Sequence, residues 1–272
     1  MRTRYGIAVV AAAGLGLLAS TVSAQVTDPN ALEVKCEQSA GKALVKFVGS
    51  KAKCSAKCIG TARKTGGPYG PCLPSSGYSD PATNACIFDP LKGAGPKARA
   101  AIVKACGSAT SDCPECYTSQ DPDLCTTGDP FVSNADSQTN LFGPLVYCIE
   151  NGNNTPNALQ AKCESTVGKA LVKFVGAKSK CYTKCNQAIL KGTIPMGSCD
   201  PPSPSDAATN ACIFDPLKGA EAKAAAAIDK ACAMVAGANP PCYGTGLDTG
   251  QEWVNAVEPQ IDNTVPQVAC GA

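Results

Sequence analysis

Eighteen cysteines and not one histidine bound the chemistry open to this chain. Without imidazole there is no Ser-His-Asp or Cys-His nucleophile system, no histidine-ligated metal, and no c-type haem attachment, which needs a histidine after its cysteine pair. The sequence holds no phosphate loop and no nucleophile elbow. Carboxylates such as Glu33, Glu37 and Asp89 are scattered, and surface or capping roles are expected for them. Cys113-Pro114-Glu115-Cys116 has the spacing of an active dithiol. Such a motif works where it follows a strand and opens a helix, whose dipole lowers a thiol pKa. Here it follows a helical stretch, so a structural disulfide is expected. Cys54-x3-Cys58 and Cys181-x3-Cys185 place two sulfurs one helical turn apart, a spacing that could hold Cu(I). With one such pair in each half of the chain, disulfide staples are the leading reading. Thiol-redox exchange or Cu(I) sequestration is the alternative.

Lysines supply the second pattern. Lys35, Lys42, Lys46, Lys53, Lys57 and Lys64 are spaced 7, 4, 7, 4, 7, and Lys162, Lys169, Lys173, Lys180, Lys184 and Lys191 repeat all six. On a helical wheel each set covers an arc of about 60°. Such an edge keeps an alanine-rich helix soluble, and it could also dock an acidic polymer or an anionic surface.

The elements that position these residues come twice. GKALVKFVG occupies 41–49 and, unchanged, 168–176; ATNACIFDPLKGA occupies 82–94 and 208–220. Cys36, Cys54, Cys58 and Cys72 recur 127 residues later as Cys163, Cys181, Cys185 and Cys199. The expected organisation is a signal peptide over 1–24, one cysteine-rich helical repeat over 25–150 and a second over 151–272, joined at the polar run 151–154. Arg2 and Arg4, the apolar run 7–18 and Val22-Ser23-Ala24 form the leader pattern, with cleavage before Gln25. An exported chain, periplasmic or extracellular, places its cysteines where disulfides persist. No transmembrane segment is expected in the mature chain, because lysine interrupts every later apolar run. Of 24 Lys+Arg and 22 Asp+Glu, only Arg2 and Arg4 fall in the leader. A balanced mature chain argues against dedicated nucleic-acid binding. Nothing implies a cofactor or a metal, and no enzyme activity is expected.

Proline and glycine punctuate each half into helices. A long helix opens at Asp28-Pro29 and at Thr155-Pro156, with proline at the first helical position. Loops over 65–80 and 192–206 follow, then a returning helix from Asp89-Pro90 to Cys106 and from Asp215-Pro216 to Cys232. A shorter third helix runs over 130–142 and 252–265, with Phe131 and Trp253 at equivalent places. No strand alternation is present, so the class is all-α: two tandem disulfide-stapled helical domains from an internal duplication.

Cys36, Phe47, Cys54 and Cys58 fall within about 40° on the wheel, and Cys163, Phe174, Cys181 and Cys185 repeat that face. If the second helix returns antiparallel, a nested pairing results: Cys36–Cys106, Cys54–Cys86 and Cys58–Cys72, matched by Cys163–Cys232, Cys181–Cys212 and Cys185–Cys199. Cys116–Cys148 and Cys242–Cys270 would tie back the third helix. Cys113 and Cys125, which the second half lacks together, would bond each other. Aromatics are 5% of the chain. A core of alanine buries little area per position, so covalent bridges compensate.

The run GKA-x2-KF-x3-K-x-KC-x2-KC, at 41–58 and 168–185, resembles a cysteine-rich helical repeat of uncharacterised exported bacterial proteins. That resemblance implies an exported, repeat-built helical protein, with no activity to carry onto any residue. The Cys-x3-Cys spacing also resembles that of helical copper-storage proteins. The expected function is non-catalytic, structural or binding, with an anionic polymer or cell-surface component as partner of the lysine edges.

Overall fold

A computed structural model of the chain describes residues 31–74, 77–107, 113–140, 142–148, 156–244 and 246–268. The leader, the Asp28-Pro29 start and the run 151–154 lie outside the described residues. Every regular element among those described is helical, so the class is all-α. No described helix is long and apolar enough to cross a membrane.

Two long helices form the frame. α1 (Ala31–Thr65) ends where Gly66 takes φ +69°, a left-handed position that closes a helix cheaply only for glycine. Its counterpart is the second long helix, which ends before Gly192 at φ +65°. That helix begins at Ala158, two residues later than a start at the expected Thr155-Pro156 cap would give. Asn157 is the cap instead: its Oδ1 accepts from the Leu159 and Gln160 amides at 2.9 Å, and Gln160 Oε1 accepts from the Asn157 amide. An asparagine three residues before a glutamine satisfies two orphan donors at once, which a threonine before proline does not.

The returning segment is broken where one helix was expected. α2 (Pro81–Phe88) is capped by Asp80, whose Oδ2 accepts from the Thr83 amide at 2.7 Å. Asp89 does not start a helix; its Oδ1 accepts from the Leu91 and Lys92 amides and closes a turn. α3 (Ala94–Cys106) begins only after Gly93, where a Cβ would stand 2.6 Å from the Asp89 carbonyl oxygen. Beyond it come α4 (Glu115–Gln120), α5 (Asp123–Thr126), α6 (Asp129–Asn140) and α7 (Phe142–Val146). The second half runs α8 (Ala158–Leu190), α9 (Ala207–Phe214), α10 (Ala220–Ala231) and α11 (Gly250–Val268). Asp206, Asp215 and Gly219 repeat the caps and the tight turn. The third-helix expectation corresponds to α6 with α7, and to α11. Phe131 and Trp253, both buried, meet Tyr117 and Tyr243 edge-on, with ring centroids 4.8 Å apart in each pair.

α3 lies antiparallel on α1: Cys106 at its end is bonded to Cys36 near the start of α1, while Gly95 at its start approaches Phe47. The Cα atoms of Cys36 and Cys106 are 4.7 Å apart, and those of Cys163 and Cys232 on α8 and α10 are 4.9 Å apart. Cys54–Cys86 and Cys181–Cys212 hold the short helices, and Cys58–Cys72 and Cys185–Cys199 hold the loops. Small buried residues, Ala40, Ala43, Ala94 and Ala98, let α1 and α3 approach closely around Phe47 and Ile102. Closing a loop of about 15 residues contributes about 3 kcal/mol in the chain-entropy model, so each bridge offsets what alanine does not bury.

The pairing of the remaining cysteines differs from expectation. Cys113 is bonded to Cys125, but Cys148 is bonded to Cys242, which excludes both Cys116–Cys148 and Cys242–Cys270. The reason is where the end of the first half packs. Val146 and Tyr147 are buried in the core of α8, α10 and α11, and the Tyr243 hydroxyl donates to the Val146 carbonyl at 2.9 Å. That places Cys148 beside the loop carrying Cys242. Cys270 and the side chain of Cys116 lie outside the described residues.

The halves also meet directly. α1 and α8 cross antiparallel with reciprocal contacts: a Cβ on Gly49 would stand 3.5 Å from Val172, and one on Gly176 would stand 3.3 Å from Val45. Gly49 and Gly176 are equivalent positions of the repeated sequence, as are Val45 and Val172.

Candidate functional site

All twelve stripe lysines are exposed, as their arc on the wheel requires. The crossing of α1 over α8 brings part of each stripe to one place. Lys46 and Lys53 of α1, Lys169 and Lys173 of α8, and Lys97 of α3 rim a single groove of about 640 Å³. Its floor is apolar, made by Val45, Ala52, Ala98, Ala101 and Val172, and no carboxylate lines it. None of the five lysines is in an ion pair among the described residues. Lys97 was not visible in the stripe pattern, because it sits on another helix. The other stripe lysines, Lys35, Lys42, Lys57, Lys64, Lys162, Lys180, Lys184 and Lys191, lie outside the groove.

On the opposite side of the crossing lies an apolar cavity of about 220 Å³, walled by Leu44, Val48, Leu171, Val175 and Ile261. Gly41 and Gly168, equivalent positions, both line it. Arg63 pairs with the buried Glu164 and donates to the Ala161 carbonyl at 3.3 Å, tying the end of α1 to the start of α8.

Two lysines that fall off the stripes are buried with carboxylates. Lys178 pairs with Glu258 and, at 2.7 Å, with Asp262 of α11, amid the rings of Phe174, Tyr182 and Phe214. Burial raises the Asp262 carboxyl despite the neighbouring ammonium. Glu221 is pushed up to about 7, chiefly by burial and then by its hydrogen bond to Glu258. Lys51, the equivalent of Lys178, stands 2.6 Å from Asp136 Oδ1 and donates at 2.9 Å to the Asp136 carbonyl and to Thr139 Oγ1, with Asn140 Oδ1 a further acceptor. Burial lowers the Lys51 pKa, against the pull of Asp136. A signal for both was present in the sequence. Each follows a buried phenylalanine by four residues and precedes a face cysteine by seven, so each lies on the core side of its helix.

Of the cysteines considered for thiol chemistry, those whose side chains are described are occupied, Cys113 among them. Cys54 is bonded to Cys86 and Cys58 to Cys72, and the second half repeats this at Cys181 and Cys185. Sulfurs of Cys36, Cys106 and Cys125 lie within 4.8 Å of one another, but they belong to two neighbouring bridges rather than to a set of thiolates. Among the described residues no cysteine is free. Asp89, one of the scattered carboxylates, closes a turn; Glu37 lines the apolar cavity.

Comparison with family models, curated proteins and solved structures returned no match to this chain. The fold by itself defines an all-α, disulfide-stabilised protein.

Proposed function

We propose that this is an exported, non-catalytic binding protein, built as two copies of one stapled helical module, whose lysine-rimmed groove docks an extended anionic polymer. The observation that supports it is the convergence of Lys46, Lys53, Lys97, Lys169 and Lys173 around one groove with no carboxylate among its lining residues. An apolar floor between two rows of ammonium groups suits a chain with regularly spaced acidic groups and a less polar backbone, and the field of five like charges raises its local concentration. The leader pattern of the sequence and the bridges support an exported site of action, and no helix among the described residues is long and apolar enough to cross a membrane.

Heparin serves as the probe. Binding should weaken steeply between low salt and physiological ionic strength, since exposed charges are screened over about 8 Å there. Replacing Lys46, Lys53, Lys169 and Lys173 together by glutamine should weaken it at least roughly tenfold at low salt, and replacing Lys35, Lys64, Lys162 and Lys191 should change it little. Salt-independent binding, or equal loss in both variants, would remove the groove as the site. Stronger binding to anionic vesicles than to heparin would favour a membrane surface over a polymer.

A further inference from the structure

The buried cluster at Lys51 has the parts of a self-forming covalent cross-link. We infer that Lys51 and Asn140 condense to an intramolecular isopeptide bond that joins α1 to the end of α6. The arrangement gives each neighbour a role. Lys51 is 3% exposed, and its Nζ contacts Asn140 on the carbonyl side of the amide. Asn140 Nδ2 donates to Asp136 Oδ2 at 3.2 Å, and the Tyr78 hydroxyl donates to Asn140 Oδ1 at 3.1 Å. Two donors on Oδ1 and an acceptor at Nδ2 fix which way the amide faces, because the reverse would set its NH2 against an ammonium.

The step balances without any co-reactant. Asp136 takes a proton from the Lys51 ammonium, leaving a neutral amine. The amine nitrogen attacks Asn140 Cγ, and the Tyr78 hydroxyl stabilises the oxyanion that develops on Oδ1. Asp136 then passes the proton to Nδ2, the Cγ–Nδ2 bond breaks, and the remaining proton exchange leaves a secondary amide, an ionised Asp136 and one departing ammonium. Desolvation favours the neutral amine, as the lowered Lys51 pKa reflects.

A lysine that merely caps the C-terminal end of α6 would account for its bonds to the Asp136 carbonyl and Thr139. The Tyr78 ring packs against Phe88 and beside the Lys51 ammonium, but capping gives no reason for its hydroxyl to end on Asn140. Tyr78 is 3% exposed and held at φ +55°, a left-handed conformation that a bulky side chain adopts only under constraint, and its hydroxyl ends on the Asn140 carbonyl. Strain of this kind belongs where a group must be aimed. Lys178 provides an internal contrast: its partners Glu258 and Asp262 are carboxylates, so no ammonia could leave from them.

The test is the mass of the mature protein after full reduction and alkylation. A chain lighter by one ammonia, with a branched tryptic peptide joining Lys51 to Asn140 and no cleavage after Lys51, is the expected result. The unaltered mass in folded, fully disulfide-bonded material would overturn the proposal. Lys51→Arg keeps the charge and the capping bonds but has no amine to condense, so it should show the unaltered mass; an ammonia loss that persists in it would place the loss elsewhere. Asp136→Asn should leave at least most of the chains uncross-linked, and a complete cross-link in that variant would refute the mechanism. None of these readouts depends on the lysine groove, which Lys51 does not line.

Discussion

Cys148 and Cys242, 94 residues apart in the chain, have Cα atoms 5.5 Å apart and bond the end of one half to the last third of the other. The bridge fastens a segment already seated by Tyr147 and by the Tyr243 hydroxyl on the Val146 carbonyl. Replacing both cysteines by serine should lower stability by about 2–4 kcal/mol, the usual worth of a native bridge. Helix content should be kept, because the other described bridges lie within one half or the other. Denaturant unfolding followed by circular dichroism measures the first, and peptide mapping without reduction finds the Cys148–Cys242 peptide directly. Recovery of a Cys242–Cys270 peptide instead would contradict this geometry.

Close approach at the helix crossing gives a second expectation. Gly176 is buried where a Cβ would already press on Val45 at 3.3 Å. Gly176→Val should therefore cost about 1–3 kcal/mol by overpacking, although valine carries no glycine-like backbone freedom to lose. The same change at Gly60, around which a Cβ would meet nothing within 4 Å, should be far milder. Equal thermal melting of the two variants would mean that α1 and α8 are not in contact in solution.

Glu221 should make stability depend on pH in a direction opposite to that of a salt-bridged acid. Burial and Glu258 raise its folded-state pKa to about 7, above the ordinary 4.5. The folded chain thus holds a proton that the unfolded chain has already released between those values. Its contribution is neutral below the unfolded pKa, grows unfavourable as pH rises toward about 7, and is constant above. Glu221→Gln should match the native protein near pH 4 and exceed it at pH 8 by about 1 kcal/mol, once solvent screening of a half-exposed group is allowed for. A variant less stable than the native protein at pH 8 would reverse the sign of the argument.

Local pattern carried the helices and the nested bridges, because the face that holds Cys36, Cys54 and Cys58 is set by helical period alone. The breaks at Asp89 and Asp215 were harder to read. An aspartate before proline signals a helix start, yet here its side chain takes the next two amides and closes a turn. Deciding between those outcomes depended on Gly93 and Gly219, whose crowding by carbonyl oxygens is visible only in three dimensions. Cys148–Cys242 was illegible for a related reason. Symmetric reasoning keeps each half's cysteines at home, whereas Tyr147 carries the end of the first half across to α8. The stripes were readable as exposed edges. Their convergence was not, since it depends on how α1 crosses α8, and Lys97 joins from a third helix.

That crossing has a consequence for assembly. Val45 and Gly49 on one helix meet Gly176 and Val172 on the other, so each surface is the mould of its own copy, the self-matching kind of contact found in two-fold dimers. Two separate polypeptides bearing this surface would pair only above some threshold concentration. Carried on one polypeptide, the same contact forms at any dilution.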